Sequence, residues 1–465
     1  MNYLYLAGRG ARLIAAILWC APTLIGVRAV AQQLPSVAAP VAGAAPTIAS
    51  SDEPQTIDLS AVLHLAGLND LDLALVREAE NRAKAENDAA TIRFFPWLSV
   101  GASYSKHSGA ATELGVIEEE RSQLYTRGGS LNEQVVLGDA IFDKLAARQR
   151  ARAAGFDVEA SRNDTAVAAA GAYFDLVNAV AATDIAREAL RVSQEYEDQL
   201  NRAYQAGLIN RSEVLRVSVQ TQRARVTLRE AEAAVHSGSA GLATLLRLDA
   251  TVELQPADHI ANPPTLVEVD IPVQTLVKEA LAVRPELKSN EATVAAMDKA
   301  RIAAKYGPLI PSLTGQAGIN QLRGGQDDVL RGNTTAHDYT IGLSWRFGPG
   351  GLFDFGRTGI ADSALQTARL NGERLHDAVA EQVVQAYVAA RAALDQTGLA
   401  RHTVELAEQS LKLSQQRKEF GVYAVLEVIQ AQQDLSQARA DYARSLTQYA
   451  KAQYALAHAT ARIGG

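Results

Sequence analysis

Hydrophobic and polar positions follow two periods along this chain, and each occurs twice. Alternation marks Trp97–Tyr104 and Leu313–Ile319, and it is cleanest from Tyr339 to Phe347. There Tyr339, Ile341, Leu343, Trp345 and Phe347 point one way, and Thr340, Gly342, Ser344 and Arg346 the other. A period of two predicts strands. A weaker partner strand lies at 130–138, and polar, Gly-rich stretches at 106–129 and 322–337 read as the loops joining each pair. One apolar face opposite a small or polar one suits a barrel wall between lipid and water. A half-buried sheet in a soluble protein gives the same alternation, so both readings stand at this point.

Elsewhere the pattern is helical. No proline interrupts the chain between Pro96 and Pro256, or after Pro349, and these tracts are rich in Ala, Gln, Arg, Glu and Leu. Helices are predicted at 58–94 and 271–306, each ending in a proline bend at Pro96 or at Pro308 and Pro311. Long helices follow at 141–206 and 358–420, and each reverses at a Gly-bearing turn into a return helix, at 212–246 and 424–461. A helix of about 65 residues is about 100 Å long, deeper than any single-domain core of this size. The return helices carry three-four spacing. It runs through Val214, Val217, Thr221, Ala224, Leu228, Ala231 and Val235. In the second it runs through Val428, Ala431, Leu435, Ala438, Tyr442, Ser445, Tyr449, Ala452, Leu456 and Ala459. A sustained seven-residue repeat draws helices into a left-handed supercoil, and small seam residues let the backbones approach.

The two tracts repeat one another. A shift of 214 positions aligns Tyr173 with Tyr387, Thr183 with Thr397, Arg187 with Arg401 and Gly207 with Gly421. It also aligns Glu213-Val214 with Glu427-Val428, Arg225 with Arg439 and Leu242 with Leu456. So long a period is a duplicated half rather than a solenoid unit. The expected organisation is a flexible Ala/Pro-rich leader at 32–57, a first repeat at 58–246 and a linker at 247–270. A second repeat at 271–461 and a short tail at 462–465 complete it.

Ahead of the leader, residues 1–31 have the form of a secretory signal. Arg9 and Arg12 precede an apolar run, and Ala29-Val30-Ala31 offers a cleavage site. The only cysteine, Cys20, lies inside it, so the mature chain has no disulfide, thiolate metal site or cysteine nucleophile. Lipidation at Cys20 is the alternative, against which stands the bulky Trp19 before it. Arg9, Arg12 and Arg28 are the only charges in the segment, so the remainder holds 42 basic against 52 acidic residues, a poor composition for nucleic-acid binding. No later stretch offers about 18 consecutive apolar residues, which leaves the periplasm, the medium or an outer-membrane β-barrel as destinations. No HExxH, GxSxG or phosphate-cradling loop occurs, so no catalytic, cofactor or metal site is expected; Gly348-Pro349-Gly350-Gly351 reads as a hinge. Glu213 and Glu427, each six residues past a turn glycine, suit either a helix N-terminus or, in symmetric copies, an acidic ring at a pore constriction.

Several fragments in this order resemble the TolC-like outer membrane efflux proteins across about 58–461. They are the duplicated strand-strand-helix-helix order, Arg284-Pro285-Glu286-Leu287, and the Phe-Asp steps Phe142-Asp143 and Phe353-Asp354. The two turns, Gly207 to Val214 and Gly421 to Val428, complete the set. The resemblance implies a mainly α fold: long antiparallel coiled hairpins forming a trimeric α-barrel, with four strands per chain in one shared transmembrane β-barrel. It implies an outer-membrane channel of a Gram-negative bacterium with a periplasmic extension, a passive exit duct for efflux or type I secretion gated at its helical tip. Its partners would be a periplasmic adaptor and an inner-membrane transporter. The pore constriction would fall at Glu427, with Glu213 its counterpart and Gln430 where a second acid is common. Adaptor contact would fall on Gly207, Leu208, Asn210, Arg211 and Ser212 of one tip, and on Gly421, Val422 and Tyr423 of the other. Lys418 and Tyr423 stand where the family latches its closed tip with a tyrosine and an arginine. A competing reading is a periplasmic coiled-coil scaffold without a pore, which explains the heptads but not the alternation at Tyr339–Phe347.

Overall fold

A computed structural model describes residues 55–113, 116–257, 263–326, 331–419 and 425–463. The signal segment with Cys20, most of the leader, and the tip residues Gly421, Val422 and Tyr423 lie outside the described residues.

The first half runs β1 (Gln55–Ile57), α1 (Leu59–Asn69), α2 (Leu71–Ile92), β2 (Trp97–Glu113), β3 (Val116–Val136), α3 (Leu137–Gln205) and α4 (Arg211–Leu245). The second repeats that order: β4 (Leu254–Pro256), α5 (Val273–Val283), α6 (Pro285–Tyr306), β5 (Ser312–Gln326), β6 (Arg331–Ser344), α7 (Phe355–Glu419) and α8 (Val425–Ala459). β1 and β4 pair in parallel, Gln55 opposite Leu254, so both halves open on matching strands. Those strands fall in the segments read as leader and linker, because three residues are too few to show a period.

Each helix expected ahead of a strand pair is in fact two. Asp70 sits in extended backbone between α1 and α2, and its carboxylate accepts the Leu73 amide at 2.8 Å, so it ends one helix and N-caps the next. Arg284 likewise ends α5 and stands at the N-cap of α6, without a side-chain cap bond, ahead of Pro285, which takes the first position of α6. Its guanidinium, almost fully buried, donates to Gln382 Oε1 of α7 and to Glu286, both at 2.7 Å. The Arg-Pro-Glu-Leu signature thus pins α6 to α7.

The larger departure is in the strands. β2 and β3 form one continuous hairpin, paired from Trp97–Asn132 to Glu113–Val116, and β5 and β6 run far past their alternating cores. The stretches 106–129 and 322–337, expected as loops, are therefore mostly ladder. Conversely Trp345 and Phe347 lie beyond β6, where the Trp345 indole donates to the Leu309 carbonyl at 3.1 Å.

The helical seams follow the spacing read from the sequence. Every seam position from Val214 to Val235 and from Val428 to Ala459 is buried or half-buried, and the equivalent Leu242 and Leu456 are fully enclosed. α3 packs between α4 and α8, and α8 packs against α7, giving a wall in the order α4-α3-α8-α7. One core joins α1, α3, α4 and α8 around Val62, Tyr173, Leu176 and Leu242; another joins α5, α7 and α8 around Leu276, Val383 and Leu456.

Among the described residues, α3 alone is long and apolar enough to cross a membrane by length and composition. Ala169, Ala170, Tyr173, Phe174, Leu176 and Val177 on it belong to the first core, so that apolar stretch is accounted for by helix packing.

Candidate functional site: a barrel wall and two helical tips

The four long strands form one antiparallel sheet in the order β2-β3-β5-β6. Its register sorts side chains onto two faces. On one lie Leu98, Val100 and Tyr104 of β2, Tyr125, Leu131 and Val135 of β3, Leu313 and Ile319 of β5, and Tyr339, Ile341 and Leu343 of β6. Ile341 is 87% exposed and Val100 79%, so the protein itself does not cover this face. Glu133, in the rung of Gly315 and Ile341, interrupts it near the helix end. The other face is polar: Ser99 and Ser130 share a hydrogen bond of 2.9 Å, Asn132 donates to both, and Asn320 donates to Asp338. Exposed Phe95, Trp97, Trp345, Phe347, Phe353 and Phe355 gather where sheet meets helices, and Tyr104 and Tyr125 stack at 4.5 Å higher up. An apolar band between aromatic levels, backed by a polar face, is the wall of a transmembrane barrel.

At the junction of sheet and helices, backbones approach closely. A Cβ on Gly138 would run into the Gly307 backbone, so only glycine fits there. Asp139 holds Arg357 at 2.5 Å, joining the tops of α3 and α7. In the hinge, the Arg357 and Gly350 amides donate to Asp354 at 3.0 and 2.8 Å. Those amides hold its carboxyl below the ordinary value.

At the far end of the helices the first tip is well defined. Gly207 adopts φ +74°, its amide donates to the Tyr204 carbonyl at 2.9 Å, and the Leu208 amide to Ala203 at 3.0 Å. This is a Schellman closure, which requires the left-handed residue that glycine supplies. Leu208, Asn210, Arg211 and Ser212 are exposed, and Asn210 stands at the N-cap of α4 without a side-chain cap bond. Glu213 lies in the first turn of α4, half-buried, 3.7 Å from Arg216. Burial, with the Glu213 charge second, raises the Tyr196 phenol above its ordinary value. Beneath the turn, Leu200, Val214 and Val217 pack with Tyr196, Ile209 and Ile429 of α8.

At the second tip, Glu427 lies in the first turn of α8, and Arg417 of α7 donates to it at 2.7 Å. Gln430 is exposed and donates to Asp434, one turn along the same helix. Each acid is thus paired within its own hairpin. Arg417 escaped the sequence reading, although the two residues stand five positions either side of the tip. The hairpins meet at Gln433 of α8, which donates to Gln220 of α4 at 2.6 Å.

The outer helices of the wall carry uncovered apolar side chains at helical spacing. Leu215, Val219 and Val226 on α4, and Leu399, Leu406 and Leu413 on α7, are all at least half exposed. Among the described residues no cluster of His, Cys, Asp or Glu is placed to hold a metal.

Solved structures share this fold. The Vibrio cholerae outer membrane protein VceC has a TM-score of 0.73 at 17% identity, covering 86% of this chain and 95% of its own. The Campylobacter jejuni CmeC outer membrane channel gives 0.70 at 19%, over 86% and 85%. The open state of the Neisseria gonorrhoeae MtrE outer membrane channel gives 0.69 at 17%, over 86% and 88%. No curated protein matches the chain in sequence. The fold and the two-faced wall define an outer-membrane channel subunit. The outer membrane efflux protein family model matches residues 62–246 and 276–462, and the chain belongs to that family. It is accordingly an outer-membrane efflux channel of the tripartite-pump type, its helices extending into the periplasm.

Proposed function

We propose that three copies close into one conduit that passively releases what an energised inner-membrane transporter delivers through a periplasmic adaptor. The observation that carries this reading is the pair of open edges. The sheet ends in two long strands, β2 and β6, each with its outer edge unpaired, which run in opposite directions and suit antiparallel pairing from one copy to the next. The helical wall ends in α4 and α7, whose exposed rows at Leu215–Val226 and Leu399–Leu413 suit the same closure. Family members are trimeric channels of tripartite pumps, which supports this stoichiometry. The segment 1–31 would direct export and be removed.

Gating would fall at the tips. Loosening of the second hairpin would widen a constriction to which Glu427 contributes, with Gln430 about one turn along the same helix and Glu213 as its counterpart in the first hairpin. The exposed first-tip residues Leu208, Asn210, Arg211 and Ser212 around Gly207, with Gly421, Val422 and Tyr423, would meet the adaptor. The test is conductance of the purified protein in planar bilayers. The reading predicts stable channels whose cation preference falls in Glu427→Gln; conducting channels with unaltered selectivity would remove that residue's role, and no conductance would remove the duct. Exchange of Arg211 and Ser212 should abolish adaptor cross-linking while trimers persist.

A further inference from the structure

The lysine and arginine residues of β2, β3 and β5 all fall on one face of the sheet. Along the apolar face, the band runs from the rung of Val135, Leu313 and Leu343 to the rung of Tyr104 and Tyr125. Ten residues of strand at a tilt of about 40° span about 25 Å of membrane thickness, so those tyrosines mark the upper interface. The band's other end adjoins the periplasmic helices, so this interface belongs to the outer leaflet.

Four cations flank this level on the same face. Arg127 lies one rung below Tyr125, Arg323 in the tyrosine rung itself, and Lys106 and Arg121 one and two rungs above. All four are exposed. From the Leu98 rung up to the Ser108–Arg121 rung, this face has no aspartate or glutamate. On β2, β3 and β5 the opposite face of the same rungs, including Ser99, Ser103, Ser105, Ser122, Thr126 and Ser130, has no lysine or arginine; on β6, Arg331 pairs with Gly324 of that face. A chain with more acids than bases has thus placed four bases on the lipid side, across three adjacent strands, with Glu119 in the next rung of the face above Arg121. Arg127 Nε donates to Gln321 Oε1 at 2.8 Å, which fixes its guanidinium across β3 and β5. Strands about 4.8 Å apart and a rise of about 3.3 Å per residue spread the four heads over about 20 Å along the sheet, a span that separate phosphates of one headgroup would divide between them. Guanidinium forks match phosphate oxygens, and the tyrosines beside them suit the sugar or glycerol level of an interface.

We propose that Lys106, Arg121, Arg127 and Arg323 form a binding site for the phosphate groups of a phosphorylated lipid headgroup in the outer leaflet. The proposal rests on the barrel reading above, because only then does this face meet lipid. The site anchors the channel at a fixed depth and does not touch the duct.

The full chain purified from membranes is titrated with a diphosphorylated glucosamine glycolipid, or with the same glycolipid freed of its phosphates, and bound lipid is counted by native mass spectrometry. The phosphorylated form is expected to bind at least about tenfold more tightly. K106Q/R121Q/R127Q/R323Q should lose that margin, whereas R121K/R127K/R323K, which keeps the charge, should retain most of it. Equal binding of the two glycolipids by the unaltered protein, or an undiminished margin in the glutamine variant, would overturn the site. If the glutamine variant does not fold, the comparison of the two lipids on the unaltered protein still decides. Failure of the unaltered protein to remain in phosphatidylcholine bilayers after an alkaline wash would instead overturn the barrel.

Discussion

Glu213 and Glu427 occupy equivalent places in the two repeats, yet their surroundings differ. Opposite Glu427 stands Arg417, and the repeat puts Ala203 at the matching place in the first hairpin. Glu213 instead pairs within α4 with Arg216 and lies close to the half-buried Tyr196. Beneath it, Leu200, Val214 and Val217 form an apolar plug under a Schellman turn. Packing therefore fixes the first tip, whereas the described part of the second is strapped by an exposed ion pair. Such pairs contribute about 1 kcal/mol or less and are screened by salt. Duplication kept the buried seam, where Leu242 and Leu456 are equally enclosed, and left the polar tips to diverge. A tip held by a weak, screened contact is the one suited to open.

The largest effects should fall where the halves are alike. Leu242→Ala and Leu456→Ala should each destabilise the helical wall by about 2–5 kcal/mol, read as similar drops in the midpoint of heat denaturation followed by helical ellipticity. A large loss in one and none in the other would break the equivalence. Gly207→Ala places a Cβ at φ +74° and should cost about 1 kcal/mol, with Gly207→Asn milder. Arg417→Gln should change stability by about 1 kcal/mol or less while raising channel open time and cation preference, an effect that high salt mimics in the unaltered protein. Ala203→Arg, which offers Glu213 the missing partner, should leave gating unchanged because packing already holds that tip.

The smallest effect is acid sensitivity at the hinge. Hydrogen bonds from the Arg357 and Gly350 amides lower the Asp354 carboxyl below 3.8. Its contribution is therefore complete above 3.8 and is lost as pH falls through the lower folded value. Asp354→Asn should remove that part of the acid dependence of heat denaturation and leave neutral behaviour nearly unaltered.

The helices were legible because a deep seam imposes a period on many consecutive residues, and the strand cores because lipid and water impose opposite demands on alternate positions. That contrast fades at the headgroup level and above it, where polar or charged side chains stand on both faces of β2 and β3. Ser105 to Ser108 and Gln123 to Arg127 then look like loop although they are laddered. The breaks at Asp70 and Arg284 were marked by residues that cap or precede proline, but one long amphipathic pattern ran through them. At the tips, Gly207 was readable because a positive φ leaves little choice of residue. The Arg417–Glu427 strap was not, because an exposed ion pair imposes no periodicity and is found only when the helices are laid side by side.

Hydrogen exchange on the backbone amides of the two edge strands tests wall closure most directly. In a single copy, the outward amides of Trp97–Glu113 and Arg331–Ser344 have no ladder partner. If copies close the barrel edge to edge, the purified protein will protect the membrane-spanning amides of β2 and β6 as fully as those of β3 and β5. Alternate amides along β2 and β6 exchanging orders of magnitude faster than their neighbours would show the edges open and contradict the closed conduit.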